Sequence, residues 1–108
     1  MTLKEIATQY RKLLDSLTAL KITFIQFEVL TYLWEHDGMN LSELRKTCNH
    51  EADSISRIID RMEHLELVKR VRKDAGHDRR FISIFLTDKG KQIKQQVIEQ
   101  LAQTGFAD

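Results

Sequence analysis

Residues 53–62 read Asp53-Ser54-Ile55-Ser56-Arg57-Ile58-Ile59-Asp60-Arg61-Met62, a run in which hydroxyl and guanidinium groups interleave with aliphatic side chains. At about 100° per residue, Ile55, Ile58, Ile59 and Met62 share one face of a helix. Asp53, Ser56, Arg57, Asp60 and Arg61 point broadly the other way, with Ser54 at the margin. Such a helix can anchor one face in a core and offer hydrogen-bonding groups from the other. The guanidinium of Arg57 carries a rigid fork of N–H donors, which suits a pair of coplanar acceptors such as O6 and N7 of guanine. An ordinary solvated helix face uses the same residue types, so this segment alone leaves both readings open.

A second cluster follows. Residues 69–80 hold six basic side chains (Lys69, Arg70, Arg72, Lys73, Arg79, Arg80) against Asp74 and Asp78. The segment carries +4 on a chain whose net charge is +1, so the other 96 residues carry −3. It contains Gly76 and is flanked by β-forming residues, which predicts a basic hairpin suited to phosphate or minor-groove contact. A charged surface hairpin without a ligand is the alternative. Other chemistry finds little support. His36, His50, His64 and His77 show no compact metal spacing with Cys48 or the acids. No Ser/His/Asp set, phosphate loop or dinucleotide fingerprint occurs. We therefore expect no catalytic residue, no metal, no cofactor and no enzyme activity.

Composition sets the frame for these clusters. The 108 residues are 42% hydrophobic and 31% charged, enough for one self-supporting domain, read as residues 1–108. A single cysteine excludes an internal disulfide. The apolar run Phe81–Leu86 is far shorter than a membrane span, and no signal-like stretch follows Met1, so the expected compartment is the cytoplasm, without membrane association.

The positioning elements follow from periodicity. Leu3, Ile6, Tyr10, Leu13, Leu14, Leu17 and Leu20 recur at spacings of three and four, predicting a first amphipathic helix of about five turns. Thr23 and Gln26 form a capping box that opens a second helix, and Gly38 follows its end as a left-handed residue. Met39-Asn40-Leu41 reads as short and extended, with Ser42 as N-cap of a third helix ending near Cys48. A fourth helix spans about 52–65. Strands over 67–72 and 81–86 flank a loop, and Thr87 caps a last helix carrying Ile93, Val97, Ile98 and Leu101. The order is mainly α with a small β-hairpin wing, α-α-(β)-α-α-β-β-α, the outline of a winged helix-turn-helix.

Several segments in this order resemble the multiple-antibiotic-resistance regulator (MarR) family of bacterial winged-helix transcription factors. They are Thr23, Gln26-Phe27 and Val29-Leu30; Asn40-Leu41-Ser42-Glu43-Leu44; Ser54 through Glu63; Leu67-Val68-Lys69-Arg70; Asp78-Arg79-Arg80; and Leu86-Thr87-Asp88-Lys89-Gly90. The likeness covers about residues 20–92. It implies a homodimer on double-stranded DNA at a roughly palindromic operator, with helix 52–65 in the major groove and wing 69–80 at the minor groove. It implies a minor-groove arginine at Arg79 or Arg80 and a wing braced by Asp78, which also reads as a plain hairpin turn residue. With the residue pattern, this makes Ser42, Asp53, Ser54, Ser56, Arg57, Arg61, Arg72, Lys73, Arg79 and Arg80 the expected DNA-binding set. Two departures stand out. Glu66 occupies a position where the family usually has glycine, so the turn there is expected to differ. Little chain follows Leu101, so the dimer interface is expected to be reduced or rearranged, and the sequence gives a small-molecule effector no support. We expect the interface on terminal helices 2–20 and 88–104, through Leu3, Ile6, Tyr10, Leu13, Leu17, Ile93, Val97 and Leu101, because a single winged-helix core would not cover both stripes. The runner-up is a monomer in which the two helices of one chain pack together. Two functions stay open: control of transcription, as repressor or activator, and a winged-helix module that binds protein.

Overall fold

The computed structural model of the chain describes residues 1–48, 54–72 and 82–106, forming five helices and three strands. In chain order these are α1 (Leu3–Ala19), α2 (Phe24–Glu35), β1 (Met39–Asn40), α3 (Leu41–Cys48), α4 (Ser54–His64), β2 (Val68–Arg72), β3 (Ile82–Leu86) and α5 (Asp88–Gln103). The helix starts are set locally. Thr2, Thr23 and Thr87 each accept a backbone N–H from the residue three positions on. At α2 the box is reciprocal, with both Thr23–Gln26 hydrogen bonds at 3.1 Å. Ser42, expected to cap α3, lies inside its first turn instead. Asn40 is the cap: its Oδ1 accepts from the Glu43 N–H at 2.8 Å and its amide donates to Glu43 Oε1 at 2.6 Å. Two good caps stand two residues apart here, and the pairing of β1 selects the one at the strand end.

The sheet is antiparallel in the order β1-β3-β2. Its registers pair Met39 with Ile84, and Val68 with Leu86 through to Arg72 with Ile82. The central strand β3 is buried at Ile82, Ser83, Ile84 and Leu86, hence its near-continuous apolar run. Gly38 lets the chain enter β1: its φ is +84°, and a Cβ there would lie 2.7 Å from the Phe85 ring. The core gathers Leu17 and Ile22, Val29, Leu30 and Leu33 of α2, Leu41 and Leu44 of α3, Ile55, Ile59 and Met62 of α4, the sheet, and Ile93 and Val97 of α5. Trp34 Nε1 donates to the Gly90 carbonyl at 3.0 Å and ties α2 to α5.

Three helices end in the same way. After α1, Ile22 N–H bonds to Leu17 O and Lys21 N–H to Thr18 O. After α4, Leu67 N–H bonds to Met62 O and Glu66 N–H to Glu63 O; after α5, Phe106 and Gly105 repeat the pattern on Leu101 and Ala102. These are Schellman turns, whose first residue past the cap is left-handed. Only α5 uses glycine there (Gly105, φ +77°); Lys21 and Glu66 hold φ of 61° and 63°. The expectation that Glu66 reshapes its turn is therefore wrong: the left-handed geometry is kept with a Cβ present. It is kept because Leu67, the next residue, is buried and its carbonyl accepts from Thr87 N–H at 3.1 Å. Gly90 lets α5 approach that carbonyl, since a Cβ on it would lie 2.1 Å away.

A left-handed non-glycine residue costs roughly 1–2 kcal/mol, and the extra unfolded-chain freedom of glycine takes back about 0.4–1. Glu66→Gly should therefore stabilise the fold by about 0.5–1 kcal/mol, read as a higher urea midpoint at unchanged slope.

Candidate nucleic-acid interface

Helix α4 sits on the core through Ile55, Ile59 and Met62, each 0% exposed, with Ile58 partly buried beside them. Arg57 and Arg61 on its other side are exposed, as is His64 one further turn along. Arg72, at the outer end of β2, is exposed too. These three arginines of the expected DNA-binding set thus lie on the surface of α4 and of the strand that follows it. Ser54 opens α4. Ser56 is only partly exposed, and Ser42 is partly buried in the first turn of α3. Asp53, Lys73, Asp78, Arg79 and Arg80 lie outside the described residues, as do His50 and His77.

A charged cluster joins α4 to the wing. The Arg70 guanidinium Nη1 lies 2.6 Å from Asp60 Oδ1 and also pairs with Glu63 Oε1. Its Nη2 donates to the Ser56 carbonyl at 3.0 Å and to Ser56 Oγ at 3.4 Å, while the Arg70 N–H donates to Glu63 Oε2 at 3.4 Å. Asp60 and Ser56, which the helical pattern groups with Arg57 and Arg61, therefore turn toward the sheet. Sequence reasoning counted Arg70 as one more basic residue of the wing. The available signal was two acids three apart on the helix and an arginine seven residues past the second.

The terminal helices differ from expectation. Helices α1 and α5 pack against each other within one chain, and Lys12 Nζ donates to the Gly105 carbonyl at 3.2 Å. Leu17, Ile93 and Val97 are buried in the core of a single chain, so they are closed to a partner; Leu13 and Leu101 are partly buried against it. The claim that one winged-helix core leaves both stripes uncovered fails for that half of each helix. Leu3, Ile6 and Tyr10 remain exposed at 85%, 48% and 47%, joined by Ile98 at 50%. Near the recognition-type helix, Gln26, Asp60, Arg61, His64 and Leu65 line an open cleft of about 400 Å³.

Residues 12–97 match the family described as Transcriptional regulator SarA/Rot. The chain belongs to the SarA/Rot family. Among similar proteins, the organic hydroperoxide resistance transcriptional regulator of Bacillus subtilis (strain 168) is 29% identical over 96 residues, covering 89% of this chain and 62% of that one. The HTH-type transcriptional regulator MgrA of Staphylococcus aureus is 33% identical over 76 residues, covering 70% and 50%. Disulfide-formed AbfR superposes with a TM-score of 0.77 at 27% identity, covering 89% and 64%. Reduced AbfR bound to DNA superposes at 0.74 and 28%, covering 86% and 66%. The fold is the MarR-type winged helix, and this SarA/Rot chain spans between half and two thirds of the length of each of these four proteins. Among the described residues, no helix is long and apolar enough to cross a membrane.

The sequence carries a single thiol. Cys48 closes α3 and is buried. Burial, with the nearby Glu28 charge second, pushes its thiol up from 9.0 to about 11. The thiolate is the nucleophile, so its population at neutral pH falls well below that of a free cysteine. Alkylation of the native protein by iodoacetamide should be slower at pH 8 than that of the urea-unfolded chain by about two orders of magnitude. Its rate should still be rising past pH 10. The folded pKa lies above the unfolded one, so this group's contribution to stability is intact below pH 9 and is lost between about pH 9 and 11.

Proposed function

We propose that this chain is a cytoplasmic, non-enzymatic transcriptional regulator that binds double-stranded DNA through α4 and the wing. The observation that carries the reading is the division of α4: three side chains with no exposure on one face, and exposed Arg57 and Arg61 on the other. That is the arrangement a helix needs to enter a major groove with its base-reading groups outward. Membership of a family of transcriptional regulators supports it, as does the likeness to a relative solved on DNA. In this reading Arg57 contacts a base edge and Ser54 keeps its place in the DNA-binding set, whereas Ser56 faces Arg70 and leaves it. Asp53 remains in the proposed DNA-binding set, and Ser42 and Arg61 face the flanking backbone. Arg72, Lys73, Arg79 and Arg80 supply phosphate and minor-groove contacts, with Asp78 bracing the loop.

The test is binding to duplexes selected from a random pool, compared with random duplex at several salt concentrations. Arg57→Ala should cost about 1–3 kcal/mol on the selected site and relax preference at one base pair per half-site. Arg79→Ala with Arg80→Ala should weaken binding to every sequence and flatten the salt dependence of log K by about one for each phosphate left without its arginine. Equal losses on selected and random DNA for Arg57→Ala would reduce it to a phosphate anchor.

The proposed assembly is a two-fold homodimer through the terminal helices 2–20 and 88–104. What supports it is the apolar surface that intrachain packing leaves open: Leu3, Ile6, Tyr10 and Ile98, beside a depression lined by Ile98, Leu101, Ala102 and Phe106. The two recognition helices would then sit about one DNA turn apart on a pseudo-palindromic site. Sedimentation equilibrium at micromolar protein should give twice the 12.7 kDa of one chain. Ile6→Glu with Tyr10→Glu should shift it toward a single chain. A single-chain mass throughout the concentration range would exclude the dimer.

A further inference from the structure

We propose that Arg70 is a positioning residue for DNA recognition: it sets the roll of α4 relative to the wing, and so the direction in which Arg57 points. The inference rests on the DNA-binding reading above. Ser56, Asp60 and Glu63 are spaced by four and three and form one stripe along α4. Arg57, Arg61 and His64 form a parallel stripe about 100° further round the helix. A single guanidinium spans the first stripe over two turns. It pairs with two carboxylates and takes a main-chain carbonyl, and the Arg70 backbone N–H adds a bond to Glu63. Arg70 is itself fixed in the sheet, opposite Ile84. The buried Ile55, Ile59 and Met62 fix which face of α4 points inward. Within that seat, a small roll of the helix would strain all of the Arg70 bonds together and swing Arg57 off its present direction; non-directional apolar packing resists such a small roll less sharply than a planar fork on carboxylates does.

Two features argue against the simpler role of a phosphate anchor. Both terminal nitrogens of Arg70 are engaged inside the protein. The cluster of Asp60, Glu63 and Arg70 carries a formal −1, which repels a phosphate.

Arg70→Lys keeps the charge and removes the fork, so it separates the roles. The experiment measures binding of the wild type and variant to a duplex selected from a random pool and to random duplex, across a salt series. The inference expects preference for the selected site to fall about tenfold or more, with affinity for random DNA and the salt slope nearly unchanged. Glu63→Gln, a milder change made from the helix side, should also lower preference. It removes a negative charge, so its random-DNA affinity should rise. If Arg70→Lys binds both duplexes like wild type, Arg70 acts through its charge alone and the inference is overturned. A lower melting temperature with unchanged preference in both variants makes the cluster merely structural, and also overturns it. A wild-type protein that binds no duplex at all overturns the DNA-binding reading and this inference with it, and is thereby told apart from a failure of the inference alone.

Discussion

Ile55, Ile59 and Met62 are sealed from solvent against α2, α3 and the sheet. Burying each such side chain contributes roughly 1.5–3 kcal/mol, which is large beside a total stability of about 5–15 kcal/mol for a domain of this kind. A helix that exposed this face would unfold the protein. Helix α4 is therefore held against the molecule by one side only, and its opposite side is free to be charged. The surface chemistry of Arg57 and Arg61 is a consequence of that constraint, because a side chain is available to a partner only where the core does not need it.

The path of the chain out of α4 is held just as tightly. The left-handed Glu66 turns the backbone so that Leu67 drops into the core, and the Leu67 carbonyl then receives Thr87 N–H. The same Thr87 caps α5, and Gly90 allows the helix to sit close over Leu67. Four local features thus meet at one carbonyl. They set where β2 begins and hence where the wing leaves the body of the domain. Strand β3, central and buried, carries the hairpin against this junction.

Charge is placed on this frame unevenly. Arg70 is drawn inward by Asp60, Glu63 and the Ser56 carbonyl, while Arg72, two residues on along the same strand, is exposed. Alternation along a strand does not separate them: successive side chains face opposite ways, so Arg70 and Arg72 share a face. They differ because α4 covers one end of that face and not the other.

Much of the fold was legible in the sequence because its determinants are local. Threonine caps, the Thr23–Gln26 box, the left-handed Gly38 and the change from helical to strand periodicity each depend on residues within four or so positions. The apolar stripe of α4 was equally plain, and with it the exposure of Arg57 and Arg61. What the sequence left undecided involves partners distant in the chain. Choosing Asn40 over Ser42 as cap needs the position of β1 beside β3. Keeping Glu66 left-handed needs a core that demands Leu67, since its own side chain argues for nothing of the kind. The burial of Leu17, Ile93 and Val97 needs α1 to lie along α5, elements separated by most of the chain. The commitment of Arg70 to Asp60 and Glu63 needs β2 to fold back on α4. In each case the energy lies in an interaction formed only after the elements pack, and local periodicity carries no record of which surfaces meet.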